Sequence, residues 1–370
     1  MVAALWLLAP TSMYADGGKR EFRGAWMQFV NGMYLGKSTA EIQQMLTHQL
    51  DELEKDGANA IIFQVRGECD ALYESKIEPW SRYLTGVQGK APSPYWDPMA
   101  WMIQQCHRRG MEFHAWINPY RARMKSPTRL ADNHILKTHP ERAFEYGGLY
   151  VLNPGLKENR DYILSVVDDI VSRYDIDGIH IDDYFYPYPE GGRPIPDDRE
   201  YALYNNGIAD RGDWRRYNVN LFVKEMGEHV HKLKPWVKFG VSPFGIYRNK
   251  KSSPIGSDTN GLQNYDQLYA DVLLWVNNGW IDYCVPQLYW HIGHPLADYE
   301  KLIKWWAKHM ANRPLYIGES IENTVQNSDP ANPNTHQMAA KFSLHCQLRN
   351  VSGTVLWYAK TAADNVGNIG

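Results

Sequence analysis

Apolar and polar positions alternate along this chain in two different periods. Eight short segments are rich in β-branched and aromatic residues, and several of them alternate between apolar and polar positions, as expected for strands that are largely buried. Between them, apolar residues recur every three or four positions, which is typical of helices with one buried face. The predicted strands are residues 22–30, 58–66, 112–118, 178–183, 238–244, 282–289, 315–320 and 354–358.

The helix signals fall between these strands. Ser38 and Glu41 have the spacing of a capping box, so a helix is predicted to begin there and to stop at Gly57. A third helix carries Ile163, Val167 and further apolar residues at a period of 3.6. The remaining helices are predicted over residues 97–110, 213–234, 263–278, 296–310 and 335–348.

Eight strands that alternate with helices predict an α/β fold, a closed (β/α)8 TIM barrel formed by one domain over residues 21–370. A dinucleotide-binding fold is disfavoured because no GxGxxG motif follows the first strand. Because the chain ends soon after the last strand, the eighth helix is expected to be short, missing or lost to truncation. The long βα loops belong to the C-terminal face and comprise residues 67–96, 119–158, 184–212 and 245–262.

The amino-acid composition indicates which kinds of binding partner to expect. The chain has 370 residues and a net charge of −3, so nothing electrostatic favours nucleic acid, and no nucleic-acid partner is predicted. Its 14 Trp and 24 Tyr residues suit stacking on sugar rings. The four cysteines lack metal-ligand spacing and are predicted to be free thiols. They are Cys69, Cys106, Cys284 and Cys346.

Residues 1–20 are predicted to be the remnant of a secretory signal. They contain a short apolar run followed by small and polar residues, although no basic stretch precedes the run. The run is too short to cross a membrane, so no transmembrane segment is predicted. We therefore expect an exported protein of the periplasm or outer envelope. The sequence leaves the oligomeric state undetermined.

The fourth predicted strand carries the strongest chemical signal. Side chains alternate faces along a strand, so His180 and Asp182 share one face opposite Ile179 and Ile181. A carboxylate at the C-terminal end of a barrel strand, followed by an aromatic run that begins at Tyr184, indicates glycoside chemistry. A helix cap or a structural ion pair is the plainer alternative.

The same alternation brings further side chains to the barrel mouth. Each alone has a structural explanation, since buried polar groups are usually just hydrogen-bonded, but their convergence favours a sugar-binding site. The predicted substrate-binding residues are Arg66, His114, Trp116, Asn118, His180, Tyr184, Gln287, Tyr289 and Trp357.

Glycoside hydrolysis generally uses two carboxyl groups that flank the bond. Asp182 is the first candidate. Asp183 is the preferred second, although strict alternation points it away unless the strand ends in a bulge or turn there. Glu319, at the end of the seventh strand, comes next, followed by Glu68 and Asp70 after the second strand.

Metal and cofactor chemistry is not expected. The sequence has neither an HxH motif on the first strand nor an HExxH motif. His114 and His180 with Asp182 would form a sparse ligand set, so no metal is predicted. A Ser-His-Asp triad lacks the GxSxG turn that presents its nucleophile.

Several runs resemble one family, the glycosyl-hydrolase-like proteins known as domain of unknown function 187. The runs are FRGAW (22–26), FQVRGECDALYESKIEPWSRYLTGVQGKAPSPYWDP (63–98), GMEFHAWINPYRA (110–122), LNPG (152–155) and DGIHIDDYFYP (177–187). The resemblance implies a TIM-barrel glycosidase of the cell envelope, one that cuts peptidoglycan glycan strands lacking stem peptides. Two rivals remain open: an inactive barrel that only binds glycan, and a glycosidase of dietary or plant polysaccharide.

The fourth strand also resembles those of other glycosidases. Against the amylase-type pattern DGxRxD, Asp182 takes the place of the nucleophile and His180 that of the arginine. Against the chitinase-type pattern DGxDxDxE, Tyr184 stands where the acid should be. This departure argues against chitinase-type assistance by the substrate.

Overall fold

The computed structural model describes residues 21–126, 128–310 and 312–369. The predicted signal remnant, residues 1–20, lies outside this part of the chain. Eight parallel strands close into a barrel, in which the first strand pairs with both the second and the eighth. In chain order the barrel strands are Phe22–Met27, Ala60–Arg66, Glu112–Ile117, Gly178–Ile181, Lys238–Val241, Tyr283–Cys284, Leu315–Ser320 and Val351–Trp357. The predicted (β/α)8 barrel is confirmed.

Several of these strands end earlier than predicted, among them the first, which stops at Met27, and the fourth, which stops at Ile181. The fifth stops at Val241 and the sixth at Cys284. Pro243 and Pro286 follow these ends, and proline has no N–H to donate to a neighbouring strand. Beyond the prolines the chains remain adjacent, because Gln287 still bridges to its neighbours on both sides.

Helices cover the outside of the barrel and also occur in its loops. The first begins with the predicted capping box, since Ser38 and Glu41 bond to each other's backbone N–H groups. The α-helices are Thr39–Lys55, Arg82–Thr85, Pro98–Arg108, Ile135–Thr138, Lys157–Arg173, Asp198–Tyr204, Arg211–Leu233, Asn264–Gln267, Val272–Asn277, Tyr299–His309, Ile321–Val325, Met338–Gln347 and Ala359–Ala363, with a 3-10 turn at Pro140–Arg142. The expected short eighth helix is the last of these. Among the described residues, no helix has the length and apolar character needed to cross a membrane.

The predicted helix over residues 263–278 is wrong as a single element. It is two short helices, Asn264–Gln267 and Val272–Asn277. Tyr269 between them has a φ of 57°, which an α-helix does not accommodate. Asp271 then starts the second helix by accepting a hydrogen bond from the Leu274 N–H.

The segment after the third barrel strand contains a small sheet that the sequence analysis did not predict. It pairs Arg121–Arg123, Ala143–Tyr146 and Leu149–Leu152 in antiparallel fashion. Gly147 and Gly148 make the turn between the last two strands, both with positive φ. Two glycines between alternating apolar segments are a hairpin signal, so the sequence carried this information.

Two apolar layers separate the inside of the barrel from its outside. The outer layer packs the strands against the helices, whereas the inner layer is small and aromatic. Gly178 and Gly240 make room for large interior rings, because a Cβ at Gly240 would lie 1.8 Å from the Tyr283 ring. The inner cluster consists of Phe22, Trp26, Ala60, Ile62, Trp116, Tyr283, Val285, Tyr316 and Val355.

Candidate active site

A cavity of about 260 Å³ opens at the C-terminal ends of the barrel strands. Its wall combines aromatic rings with carboxyl, amide and guanidinium groups. The lining residues are Trp26, Gln28, Val30, Gln64, Trp116, Arg121, Asp182, Asp183, Tyr184, Tyr188, Ser242, Gln287, Tyr289 and Trp357.

Two consecutive carboxyl groups line this cavity. The fourth strand ends at Ile181, so the alternation of faces stops there and the chain turns. As a result Asp183 joins Asp182 on the cavity wall instead of pointing toward the helices. Both side chains are nearly inaccessible, with Asp182 at 5% and Asp183 at 2% exposure.

Asp182 is held by three N–H donors. Its Oδ2 accepts hydrogen bonds from the Trp116 indole at 3.3 Å and from the Asn118 side-chain amide, and its Oδ1 accepts from the Tyr184 backbone at 3.3 Å. The Asn118 amide is itself oriented, because its Oδ1 accepts from Gln64 at 2.7 Å and from Arg121 at 2.5 Å. Residues of the second, third and fourth strands and their loops therefore position one carboxyl group.

Asp183 has a different set of partners. Its Oδ2 accepts a hydrogen bond from the Tyr188 hydroxyl, and its carboxyl group also bonds to Gln287. Gln287 is anchored in turn, since its Nε2 donates to the Ser242 carbonyl at 2.9 Å. A hydroxyl can either donate or accept, so Asp183 has a partner in both protonation states.

Burial dominates the electrostatics of the carboxyl pair. Burial, together with the neighbouring charge of Asp183, raises the pKa of Asp182 to about 7, with Arg121 opposing the rise. Burial also raises the pKa of Asp183, against the hydrogen bonds from Tyr188 and Gln287. Two adjacent carboxyl groups do not readily both ionise in such a place, because the charge of one disfavours the charge of the other.

Aromatic rings form much of the remaining wall. Trp357 meets Trp26 and Trp116 edge to face, at ring-centroid distances of 6.2 and 6.1 Å. Trp357 therefore faces inward, as predicted. Tyr184 lies on the more open side at 37% exposure, where the Arg121 guanidinium sits 5.4 Å from its ring centroid. This combination of flat rings and polar groups can pack against and hydrogen-bond a sugar.

Four of the nine predicted binding residues do not line the cavity. The register shifts between Gln64 and Arg66, and Arg66 turns to form a fully buried ion pair with Glu78 at 2.7 Å. His114 and His180 do face the barrel axis, but they lie among the interior rings and do not line the cavity. Asn118 lies behind Asp182 and donates a hydrogen bond to it. The remaining five predicted binding residues line the cavity: Trp116, Tyr184, Gln287, Tyr289 and Trp357.

The alternative second carboxyl groups are not part of the cavity wall. Glu319 turns toward the helices, where it pairs with Lys341 at 2.8 Å and bonds to Tyr299. Glu68 pairs with Arg82 at 3.0 Å, and Asp70 accepts a hydrogen bond from Gln88. Of the four candidates, only Asp183 lies beside Asp182.

Several lining residues were not predicted. Tyr188 belongs to a loop, where no period assigns a direction to a side chain, and Arg121 begins a short strand of the small sheet that was not predicted. Ser242 could have been found, because it lies two residues after Gly240 and the period of a strand puts both on the interior face. Within the described residues, no group of three or more His, Cys, Asp or Glu side chains could hold a metal ion.

Fold and site together define a (β/α)8 enzyme of the glycoside hydrolase class. The family model described as Glycosyl hydrolase-like 10 matches residues 21–334, and the chain belongs to this family. It is 41% identical to "Glycosyl hydrolase YngK" of Bacillus subtilis over 94% of this chain and 69% of that protein. It is 37% identical to "Glycosyl hydrolase DigH" of Escherichia coli K12 over 85% of this chain and 75% of that protein.

Solved structures support the fold at low sequence identity. The glycoside hydrolase domain of PgaB from Bordetella bronchiseptica aligns with a TM-score of 0.59 at 10% identity, over 94% of this chain and 96% of that one. An endo-1,4-beta-mannanase from Rhizomucor miehei aligns with a TM-score of 0.58 at 12% identity, over 95% of this chain and 94% of that one. The protein is a glycosidase with a TIM-barrel fold.

Proposed function

We propose that this glycosidase cuts peptidoglycan glycan strands that lack stem peptides, using Asp182 and Asp183 as its two carboxyl groups. The observation that carries the proposal is their position on the wall of an aromatic cavity. No ion pair to either carboxyl group is found in the described part of the chain. Carboxyl groups without an ion-pair partner can exchange protons and can stabilise the positive charge that develops on the sugar during cleavage.

The substrate is suggested by the sequence runs FRGAW and DGIHIDDYFYP, among others, which resemble a family of envelope glycosidases. The cavity is compatible with it. Its wall presents tryptophan and tyrosine rings for the faces of sugars, and amide and hydroxyl groups for their polar edges. We propose export from the cytoplasm on the basis of residues 1–20, and secretion of a reporter fused to this segment would test that.

Asp182 is proposed as the charged member of the pair. Its three partners are N–H groups, which stabilise a carboxylate but cannot accept a proton. Asp183 is proposed as the general acid, because the Tyr188 hydroxyl can accept a hydrogen bond from a protonated carboxyl group. With Asp183 neutral, the charge that helps to raise the pKa of Asp182 is absent, which favours the ionised form of Asp182.

The test is turnover of purified glycan strands from which the peptides have been removed. Asp182→Asn and Asp183→Asn should each fold and lose at least about a hundredfold in rate, the lower range for one catalytic group. Intact peptidoglycan, chitin and plant glucans serve as comparison substrates. Turnover of a plant glucan in preference to peptide-free strands would overturn the proposed substrate, and near-normal rates in both variants would overturn the proposed pair.

A further inference from the structure

A line of hydrogen bonds runs through the inside of the barrel and ends at the cavity. At the N-terminal ends of the strands, Lys238 Nζ donates to Glu112 at 2.7 Å, and Glu112 Oε2 lies 2.9 Å from His114 Nε2. His114 Nδ1 lies 2.7 Å from the Tyr283 hydroxyl, which lies 3.0 Å from His180 Nδ1.

The last link joins this line to the cavity wall. His180 Nε2 lies 2.9 Å from the Ser242 hydroxyl and 3.4 Å from the Trp26 indole nitrogen. Ser242 and Trp26 both line the cavity, whereas His180 does not. Ser242 is therefore the point at which an interior polar network reaches the space that holds substrate.

The direction of the protons can be worked out from the cavity end. The Trp26 indole can only donate, so His180 Nε2 must accept and the His180 proton is on Nδ1. Burial and the neighbouring His114 keep the pKa of His180 well below its usual value, so the ring is neutral and carries a single proton. That proton bonds to the Tyr283 oxygen, and the Tyr283 hydroxyl must then donate to His114 Nδ1.

The opposite end gives the same direction independently. Burial would raise the pKa of Glu112, but hydrogen bonds from His114 and Lys238 outweigh it and hold the pKa at about 2. Glu112 is therefore an acceptor, so His114 Nε2 carries a proton and donates to it. In a His114 ring with one proton, Nδ1 then accepts from Tyr283, which is the direction set by Trp26.

The barrel is shaped to hold this line. A Cβ on Gly178 would lie 2.3 Å from His114 Nδ1, and one on Gly240 would lie 1.8 Å from the Tyr283 ring. Both glycines have ordinary negative φ values, so it is the space that they leave, and not backbone freedom, that the rings require. His180 and Tyr283 are stacked with an interplanar angle of 21°.

We infer that Ser242 is a substrate-binding residue whose oxygen is fixed as a hydrogen-bond acceptor by this line. Its single proton is directed to His180 Nε2, an acceptor that it shares with the more distant Trp26 indole, so the oxygen lone pairs are left for the cavity. A sugar there must offer a donor, either a hydroxyl or the N–H of an acetamido group. This inference rests on the proposed function, because it assigns a polar contact within the same cavity.

The experiment combines two readouts. Long-range ¹H–¹⁵N spectra of histidine-labelled protein report which ring nitrogen carries the proton. We expect Nδ1 for His180 and Nε2 for His114. Calorimetric titration with a tetrasaccharide of alternating N-acetylglucosamine and N-acetylmuramic acid then measures binding without turnover, in the Asp182→Asn background.

Adding Ser242→Ala should weaken binding about three- to tenfold, the usual scale of one hydrogen bond. Tyr283→Phe, which breaks the line far from the substrate, should weaken binding by a smaller factor and also disturb the His180 signal. Tyr316→Phe is the matched control, because its ring lies 5.3 Å from that of Tyr283 and it has no place in the line. It should change neither readout.

The outcomes separate this inference from the proposed function. A proton on His180 Nε2, or unchanged affinity in Ser242→Ala while the tetrasaccharide still binds the parent, would overturn the role of Ser242 alone. Failure of the tetrasaccharide to bind at all, with the fold intact, would overturn the proposed substrate together with the contact assigned to Ser242.

Discussion

Two buried carboxyl sites lie at the C-terminal ends of barrel strands, and they differ in almost everything except burial. Asp182 and Asp183 follow the fourth strand and line the cavity, whereas Glu319 lies on the seventh strand and faces the helices. Burial raises the pKa of both aspartates. Burial would also raise the pKa of Glu319, but the interactions with Lys341 and His345 outweigh burial and lower that pKa.

Burial alone therefore does not identify a reactive acid. The buried ion pair with Lys341 satisfies Glu319 and leaves it no route to substrate. Within the described part of the chain, the aspartates have hydrogen-bonding neighbours but no ion-pair partner, and the nearby Arg121 bonds to Asn118. The structural carboxylate of Glu319 is thus neutralised in place, whereas the proposed catalytic pair lies beside open space without such a partner.

We call the Glu319–Lys341 ion pair the closed site, and the Asp182–Asp183 pair beside the cavity the open site. The largest expected effect is a loss of stability when the closed site is disrupted. Lys341→Ala leaves Glu319 buried without its cation, which should cost about 3–5 kcal/mol in the free energy of unfolding measured by denaturant titration. The double variant Glu319→Gln with Lys341→Met removes both charges and should be far closer to the parent. A loss below about 1 kcal/mol in Lys341→Ala would show that the two sites do not differ as described.

Removing a charge from the open site should instead increase the stability of the protein. The folded-state pKa of Asp182 is raised, so between about pH 4 and 7 the folded protein binds more protons than the unfolded chain, and its stability falls as pH rises. Asp182→Asn removes this cost. The variant should be about 1–3 kcal/mol more stable than the parent at pH 8, and the gain should shrink toward pH 4.

Asp197 provides the control for this gain. It is buried and pairs with Arg215 at 2.6 Å, so Asp197→Asn should destabilise the protein at pH 8. Melting curves at pH 5 and pH 8 would check both variants. An Asp182→Asn variant that is less stable than the parent at pH 8 would contradict the raised pKa.

A change of similar size is expected in the free energy of glycan binding when an aromatic residue of the cavity wall is removed. Trp116→Ala should weaken glycan binding by about 1–3 kcal/mol, the scale of a lost aromatic contact. Trp236→Ala is a suitable control, since this residue is 68% exposed and precedes the fifth strand, on the opposite face of the barrel. Calorimetry with the tetrasaccharide would measure both. Equal affinities with the fold intact would assign Trp116 to the core.

The smallest expected effect tests which aspartate keeps the proton. The Tyr188 hydrogen bond lowers the pKa of Asp183, so Tyr188→Phe should raise that pKa further. If Asp183 is the general acid, the alkaline limb of the pH–rate profile moves to higher pH. A shift confined to the acid limb would instead assign the proton to Asp182.

The sequence was sufficient for the barrel, because strand and helix periods recur eight times and the glycine and capping signals agree with them. It was also sufficient for Trp116 within the third strand, and for Asp182 and Gln287, which lie beyond the ends of their strands but keep the same alternation. It was not sufficient for two other residues near strand ends. Arg66 follows a register shift and Asp183 is the second residue after the fourth strand, so alternation misdirected the first and left the second undecided.

The loops account for the remaining differences. Arg121 and Tyr188 reach the cavity through tertiary contacts that no local period encodes. Glu319 was ambiguous because a strand has two faces and both are buried in a barrel. The contacts with Lys341 and Tyr299, which come from two different helices, show that it faces outward, as does Ile317 two residues before it.

The most direct test of the central claim is a side-by-side measurement of turnover on peptide-free glycan strands. Asp182→Asn removes the charge of the open site, and the Glu319→Gln, Lys341→Met double variant removes those of the closed one. We predict at least about a hundredfold loss of rate in the first and a rate within a few fold of the parent in the second. Equal losses in the two variants, or a fully active Asp182→Asn enzyme, would contradict the account.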